Sequence, residues 1–312
     1  MIIDVPSTTT SKVNQKLVEL RERGGAVALG RVLTLVIVTE DGASIEDTVD
    51  AANEASREHP SRIIVAARGL REAAPRIDAQ IRVGGDAGAS EVLVLRLYGP
   101  LAGEAESAVV PLLLPDAPIV TWWPGAAPAE PATDPLGRIA QRRITDAAAE
   151  ADPIAALRRR VTSYTDGDTD LAWARLTHWR AQLVAALDLP PHEPVTAATV
   201  TGDSDSPSTD LLAGWLAHYL QVPVRREQAV DGPGIVSVSL ERPSGPVDLH
   251  RPDGKVGTLR QHGQPDRTID LHRRSLSDVL VEELRRLDPD EVYEHALHGL
   301  SLLPHNQEGA TA

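Results

Sequence analysis

A chain of 312 residues, 42% hydrophobic and without cysteine, carries 31 basic against 45 acidic residues, a net charge of −14. The length suffices for two ordinary domains, each with a buried core. The absence of cysteine excludes disulfides, iron–sulfur clusters and thiolate zinc sites, and the acidic balance argues against a nucleic-acid or anionic-membrane surface, which clustered Lys and Arg would have to lead.

In chain order, Ser11 to Arg23 places Val13, Leu17 and Leu20 at helical spacing, with Gly24-Gly25 as the stop. Val32 to Thr39 and Arg62 to Ala67 are β-branched apolar runs; Ile45 to Arg57 between them is an amphipathic helix opened by Ser44. Arg76 to Val83 and Glu91 to Leu97 are strands, Ala102 to Leu113 a helical crossover, and Ile119 to Trp122 a further strand. The alternation predicts a mainly parallel or mixed sheet flanked by helices. Gly125 to Pro135 is a loop, Ile144-Thr145-Asp146 a short strand, and Pro153 to Val161 a helix capped by Asp152.

The domain boundary is expected near Asp166-Gly167-Asp168, giving an N-terminal α/β domain over 1–165 and a C-terminal one over 166–304, with a disordered tail over 305–312. The second domain opens with a long helix, Thr169 to Leu187, whose stripe Ala172, Leu176, Trp179, Leu183 and Leu187 follows the helical period. A strand, Val195 to Thr201, a Ser/Asp loop and a helix, Leu211 to Leu220, follow. From Val224 the pattern is β-rich and reads as an antiparallel meander; two helices, Leu276 to Leu287 and Val292 to Leu300, finish the fold, with Asp288 as the cap and Pro289 as the start of the second. The fold class is therefore α/β (α+β), two domains each built on a mixed sheet flanked by helices. The longest apolar runs, Val32 to Val38 and Val109 to Leu114, fall far short of the roughly 20 residues of a membrane span. Met1 to Pro6 lacks the charged start and apolar core of a signal peptide, so a cytoplasmic location is expected.

Trp122-Trp123-Pro124-Gly125 ends an apolar run where a strand meets a loop. Neighbouring strand side chains point to opposite faces, so one indole is expected in the core and the other outside, with Pro124 fixing the exit of a partner-binding surface. A second aromatic segment, Asp170 to Arg180, holds Trp173 and Trp179 with Arg175 and Arg180 on one helix. Arg175 and Trp179 stand four apart and are expected to stack, Trp179 belongs to the apolar stripe, and Trp173, off that stripe, is open to a partner or to the other domain. Trp and Arg are residue types that anchor interfaces.

The chemical motifs are weaker. Gly25-x-x-x-x-Gly30-Arg31-Val32 has the spacing of a phosphate-binding loop but lacks its Lys and Ser/Thr, and it follows a helix, so it reads as a helix-to-strand turn. The loop Gly202 to Thr209 lies between strand and helix, where backbone N–H groups bind phosphate; Ser204, Ser206, Ser208 and Thr209 are its candidate ligand-binding residues, for a sugar phosphate. Asp203, Asp205 and Asp210 oppose an anion, and a helix cap explains the same composition. Asp248-Leu249-His250 and Asp270-Leu271-His272 would present a His₂Asp₂ cluster only if the two strands pair, and Arg251, Arg273 and Arg274 weaken that reading; Glu294 to His298 carries two His at i, i+3 and reads as an exposed helix face. No nucleophile elbow or dinucleotide fingerprint occurs, so no catalytic residue, cofactor or metal is expected.

Thr8-Thr9-Thr10 with Asn14-x-Lys16-Leu17, Leu29-Gly30-Arg31-Val32-Leu33-Thr34-Leu35, Pro111 to Asp116 with Trp122-Trp123-Pro124-Gly125, and Asp170-Leu171-Ala172-Trp173 with Arg175-Leu176-Thr177 and Trp179-Arg180 together resemble the glucose-6-phosphate dehydrogenase assembly proteins of the OpcA family, found in actinobacteria and cyanobacteria. The resemblance spans about residues 1 to 300. It implies a non-catalytic partner that binds glucose-6-phosphate dehydrogenase, promotes its active oligomer and raises its activity. The redox control attributed to cysteines in cyanobacterial relatives does not carry over to a chain that has none.

Overall fold

The structure, a computed structural model, describes residues 1–24, 32–42, 45–83 and 91–304, with the backbone alone at 21–24. The turn at Gly25, the Gly25 to Arg31 spacing, the Ser44 cap and the tail over 305–312 lie outside the described residues. The strands are β1 (Ile2–Thr8), β2 (Leu33–Glu40), β3 (Ser61–Arg68), β4 (Arg76–Arg82), β5 (Glu91–Tyr98), β6 (Ile119–Trp122), β7 (Arg142–Thr145), β8 (Asp168–Asp170), β9 (Ala197–Gly202), β10 (Val224–Gln228), β11 (Ile235–Glu241), β12 (Val247–His250), β13 (Val256–Gln261) and β14 (Arg267–Asp270). The helices are α1 (Thr10–Gly24), α2 (Ile45–Ala55), α3 (Ala105–Val109), α4 (Pro135–Arg138), α5 (Pro153–Ser163), α6 (Leu171–Ala174), α7 (Thr177–Leu187), α8 (Pro207–Leu220), α9 (Leu276–Arg285) and α10 (Glu291–Gly299). The architecture is mixed α/β, two mixed sheets flanked by helices.

The chain forms two compact units that interleave along the sequence. Residues Met1–Ala151, Thr165–Leu171 and Ser275–Pro289 make the first; Asp152–Tyr164, Ala172–Arg274 and the chain from Asp290 onward make the second.

The first unit holds an eight-stranded sheet in the order β1-β4-β5-β3-β2-β6-β7-β8. From β5 to β8 all neighbours are parallel, while β4 runs antiparallel to β1 and β5. A parallel sheet covered on both faces needs near-continuous apolar strands, and Leu35 to Val38, Ile63 to Ala67 and Val92 to Leu95 are buried without alternation. Two buried ion pairs bring charge into this sheet: Arg62 faces Glu91 across β3 and β5 at 2.8 Å, and Arg142 of β7 pairs with Glu283 of α9, all four side chains buried. Helix α9 starts at a capping box, Ser275 with Asp278, and packs on α2.

Four elements depart from the sequence reading. Strand β1 was not anticipated; it lies on the sheet edge, and Pro6 falls where its register against β4 shifts, between Val5 and Thr8. The crossover over Ala102 to Leu113 is one short helix between 3₁₀ turns at 99–102 and 110–112, each with a proline in its first turn. Thr169 and Asp170 belong to a strand rather than a helix, since Asp170 accepts hydrogen bonds from Thr145 Oγ1 at 2.6 Å and Ala147 N at 3.0 Å and is thereby held to β7. The last helix is capped by Asp290, not Asp288; its carboxylate accepts from the amides of Val292 and Tyr293.

The second unit holds a six-stranded sheet, β10-β9-β11-β12-β13-β14. Strands β11 to β14 form the expected antiparallel meander, and β9-α8-β10 is a parallel crossover at its edge. Helices α8 and α10 cross at two glycines: a Cβ on Gly299 would lie 1.9 Å from the Gly214 carbonyl oxygen. Only glycine at 299 allows that approach of the two backbones.

Candidate functional site

Both indoles of the Trp122-Trp123 pair are buried, which corrects the expected outward ring. Trp122 pairs with Ile37 of β2 and Ile144 of β7, and the Trp123 amide donates to Ile144 O at 2.9 Å, so the pair stays inside the sheet. A parallel strand with neighbours on both sides has two covered faces, and alternation sends each ring into a core. Trp123 packs in the cluster with Leu112 and Leu136, while the chain after half-buried Pro124 folds back through α4, where Gly137 lies against the Trp123 ring. Neither indole N–H has a hydrogen-bond partner among the described residues.

Trp173 is also interior, contrary to its expected availability. Its Nε1 donates to Asp290 Oδ2 at 2.8 Å, the Arg180 guanidinium lies over its ring at 3.8 Å, and Tyr293 packs against it at 5.9 Å. Trp179 is covered by Arg251 at 5.0 Å, and Arg175 is half-buried at the break between α6 and α7. Arg251 is itself buried with no carboxylate among its hydrogen-bond partners, donating to the carbonyls of Leu271 and Ile235 at 2.8 Å. Burial lowers its pKa to about 10.

The loop Gly202 to Thr209 spends most of its hydroxyls on structure. Ser206 caps α8, accepting from Thr209 N at 3.3 Å and Thr209 Oγ1 at 2.8 Å, and Ser208 Oγ donates to Ala172 O at 2.8 Å. Ser204 alone of the four candidates lines a cleft, of about 860 Å³, where it meets Arg158 of α5, Asp210 of α8 and Arg226 and Gln228 of β10. Arg226 fixes this corner: Nε donates to Asp210 Oδ1 at 2.8 Å, and its Nη atoms to the carbonyls of Gly202, Asp203 and Glu227. Burial raises the Asp210 pKa against the opposing pull of Arg226 and Arg158. Neither Arg158 nor Arg226 carried a signal in the sequence.

A second concavity, about 780 Å³, runs between α7 and α8 and is apolar, lined by Leu183, Val184, Leu187, Trp215 and Tyr219, with Arg180 at its border. Val184 is 47% exposed and Tyr219 48%, so apolar surface on both helices is open to solvent. The outward faces of both helices gave no amphipathic signal to find it by.

The two Asp-x-His strands do not meet: β13 lies between β12 and β14, so Asp248 and His250 are separated from Asp270 and His272. His272 pairs with Asp270, which lowers the Asp270 pKa. No group of three metal-ligating side chains occurs among the described residues. On the last helix His298 is exposed as expected, but His295 stacks on His218 with ring centroids 4.4 Å apart and lies 3.0 Å from the Tyr219 hydroxyl.

Two family models match the chain, both describing the glucose-6-phosphate dehydrogenase subunit of the OpcA type: the model of its N-terminal domain matches residues 52–162, and that of its C-terminal domain matches residues 166–297. No curated protein matches it. Among solved structures, an oxidoreductase from Sinorhizobium meliloti is similar at 8% identity and a TM-score of 0.43, covering 86% of this chain and 95% of that one. Biliverdin reductase from Synechocystis sp. PCC 6803 is similar at 11% identity and a TM-score of 0.42, covering 86% and 97%. Likenesses of that degree carry no argument about chemistry. No described helix is long and apolar enough to cross a membrane.

Proposed function

We infer a non-catalytic role from one premise, that this chain belongs to the OpcA family of glucose-6-phosphate dehydrogenase assembly proteins. The protein binds glucose-6-phosphate dehydrogenase in the cytoplasm, promotes its active oligomer and acts as its allosteric activator at the first step of the oxidative pentose phosphate pathway. The observation that carries this reading is the pair of family matches, 52–162 and 166–297, which together span most of the chain. They meet close to the boundary read from the sequence near residue 165, and we retain 1–165 and 166–304 as its two sequence modules.

An activator must bind the active state of its enzyme more tightly than the inactive one; a difference of about 1.4 kcal/mol shifts that equilibrium tenfold. Of the partner-binding residues marked by the sequence, Trp122, Trp123 and Trp173 are interior and act through the fold, while Pro124, Arg175 and Arg180 are half-buried. Arg180 borders the apolar groove between α7 and α8, and we assign the enzyme contact to it. The groove suits one aliphatic or aromatic segment of a partner.

Purified enzyme titrated with this protein should gain mass by light scattering and change in kcat or KM. The variant Val184→Asp should lose both effects while keeping its thermal midpoint. Unchanged mass, kcat and KM at saturating protein would remove the reading; full activation by Val184→Asp would remove only the placement.

A further inference from the structure

The crossover β9-α8-β10 is the parallel pair of the second sheet, and open α/β sheets bind ligands in the crevice outside the carboxyl ends of such strands. The cleft described above sits at that end, between Ser204 after β9 and Gln228 at the end of β10, with α5 as its other wall. Its volume, about 860 Å³, lies within the range of small-molecule sites, roughly 300–1,000 Å³.

What distinguishes the cleft is which of its polar groups are already committed. Arg226 is consumed by Asp210 and three carbonyls, so it holds Asp210 in place rather than binding a ligand. Arg158 is exposed, and no hydrogen bond or ion pair holds its guanidinium among the described residues, although its charge reaches Asp210 and opposes, less than Arg226 does, the rise that burial imposes on that carboxyl's pKa. Asp210 uses only Oδ1, leaving Oδ2 as an acceptor, and the side chains of Ser204 and Gln228 have no partner among the described residues. Of the three carboxylates that argued against an anion, Asp203 is turned to the Gly234 amide at 2.6 Å and Asp205 does not line the cleft. Half-buried Ile154 and Val161 on α5 supply an apolar wall.

One uncommitted cation, two uncommitted polar side chains, one free carboxylate oxygen and an apolar wall match one class of small molecule. We propose that this cleft binds a phosphorylated sugar or polyol, with its phosphate on Arg158, its hydroxyls on Asp210 Oδ2, Ser204 and Gln228, and its C–H face against Ile154 and Val161. A chain of net charge −14 has no general attraction for anions, so binding depends on that one arginine. The site is separate from the groove assigned to the enzyme and needs no enzyme to be occupied.

The test uses the full chain alone, titrated by isothermal calorimetry with glucose 6-phosphate, glucose and inorganic phosphate. Glucose 6-phosphate should bind saturably, with glucose and phosphate at least tenfold weaker. Arg158→Ala should weaken glucose 6-phosphate at least tenfold with an unchanged thermal midpoint in the absence of ligand, and Arg158→Lys should recover part of the loss; Gln228→Ala should weaken it by a smaller factor. No saturable binding up to about 10 mM overturns the proposal. So does equal affinity for inorganic phosphate or for glucose, or binding that is unchanged in Arg158→Ala.

Discussion

Removing the Asp290 carboxylate tests whether the second aromatic segment serves the fold or a partner. In Asp290→Ala the amides of Val292 and Tyr293 lose the oxygen that accepts both at 3.0 Å, and Trp173 Nε1 loses its acceptor at 2.8 Å. Losing a helix N-cap costs about 1 kcal/mol, and a buried donor left unpaired costs about 1–3 kcal/mol. The expected loss is therefore about 2–4 kcal/mol, read as a lower urea midpoint at constant m value. Asp290→Asn separates the two parts, since an amide oxygen still caps the helix while only one oxygen remains for two tasks; it should fall between wild type and Asp290→Ala. Trp173→Phe removes the donor instead, and the cycle of Trp173→Phe with Asp290→Asn should show a coupling of about 0.5–3 kcal/mol. Activation of the enzyme, assayed well below either melting temperature, should be the same for Trp173→Phe as for wild type. A loss under about 0.5 kcal/mol in Asp290→Ala, within the scatter of surface substitutions, would refute the structural reading. So would lost activation at full stability in Trp173→Phe.

Three further outcomes follow from the packing. Gly299→Ala drives a methyl into the Gly214 carbonyl 1.9 Å away, and overpacking of this kind costs about 1–3 kcal/mol or more; a wild-type thermal midpoint would contradict the crossing of α8 and α10. Glu283→Ala leaves Arg142 buried without its carboxylate and should cost about 3–5 kcal/mol in a urea melt, whereas replacing both by apolar residues should cost much less. The hydrogen bond from Arg82 holds Glu46 below the ordinary carboxylate range, so its stabilisation is present above the unfolded value and lost as pH falls through the folded one. The stability gap between wild type and Arg82→Ala should therefore narrow between about pH 5 and pH 3, and a constant gap would count against the pair.

Apolar runs and turn residues carried most of the fold in the sequence. Val32 to Thr39, Arg62 to Ala67 and the meander from Val236 onward read correctly because period and punctuation agree there. The misread segments are those where tertiary bonds outweigh local pattern. Asp170 looks like a helix start until Thr145 and Ala147 are seen to claim its carboxylate. The Trp pair was misjudged for a subtler reason: alternation was read correctly, but it exposes a side chain only if one face of the sheet is wet. The cleft was only half legible. The Gly202 loop marked its place, but Arg158, Asp210 and Arg226 come from separate elements whose convergence no spacing records.

Arg142 and Glu283 are 141 residues apart, and the stretch between them contributes mostly to the other unit. On a ribosome adding about 5–20 residues each second, the arginine emerges roughly 7–30 s before the carboxylate that neutralises it. Throughout that interval the nascent first unit lacks α9, so a guanidinium destined for burial and the apolar groups of α2 that α9 meets stay in contact with water or a chaperone. The first half of this protein is thus translated early but completed late, and a stop codon anywhere before Ser275 deprives both units of part of their cores.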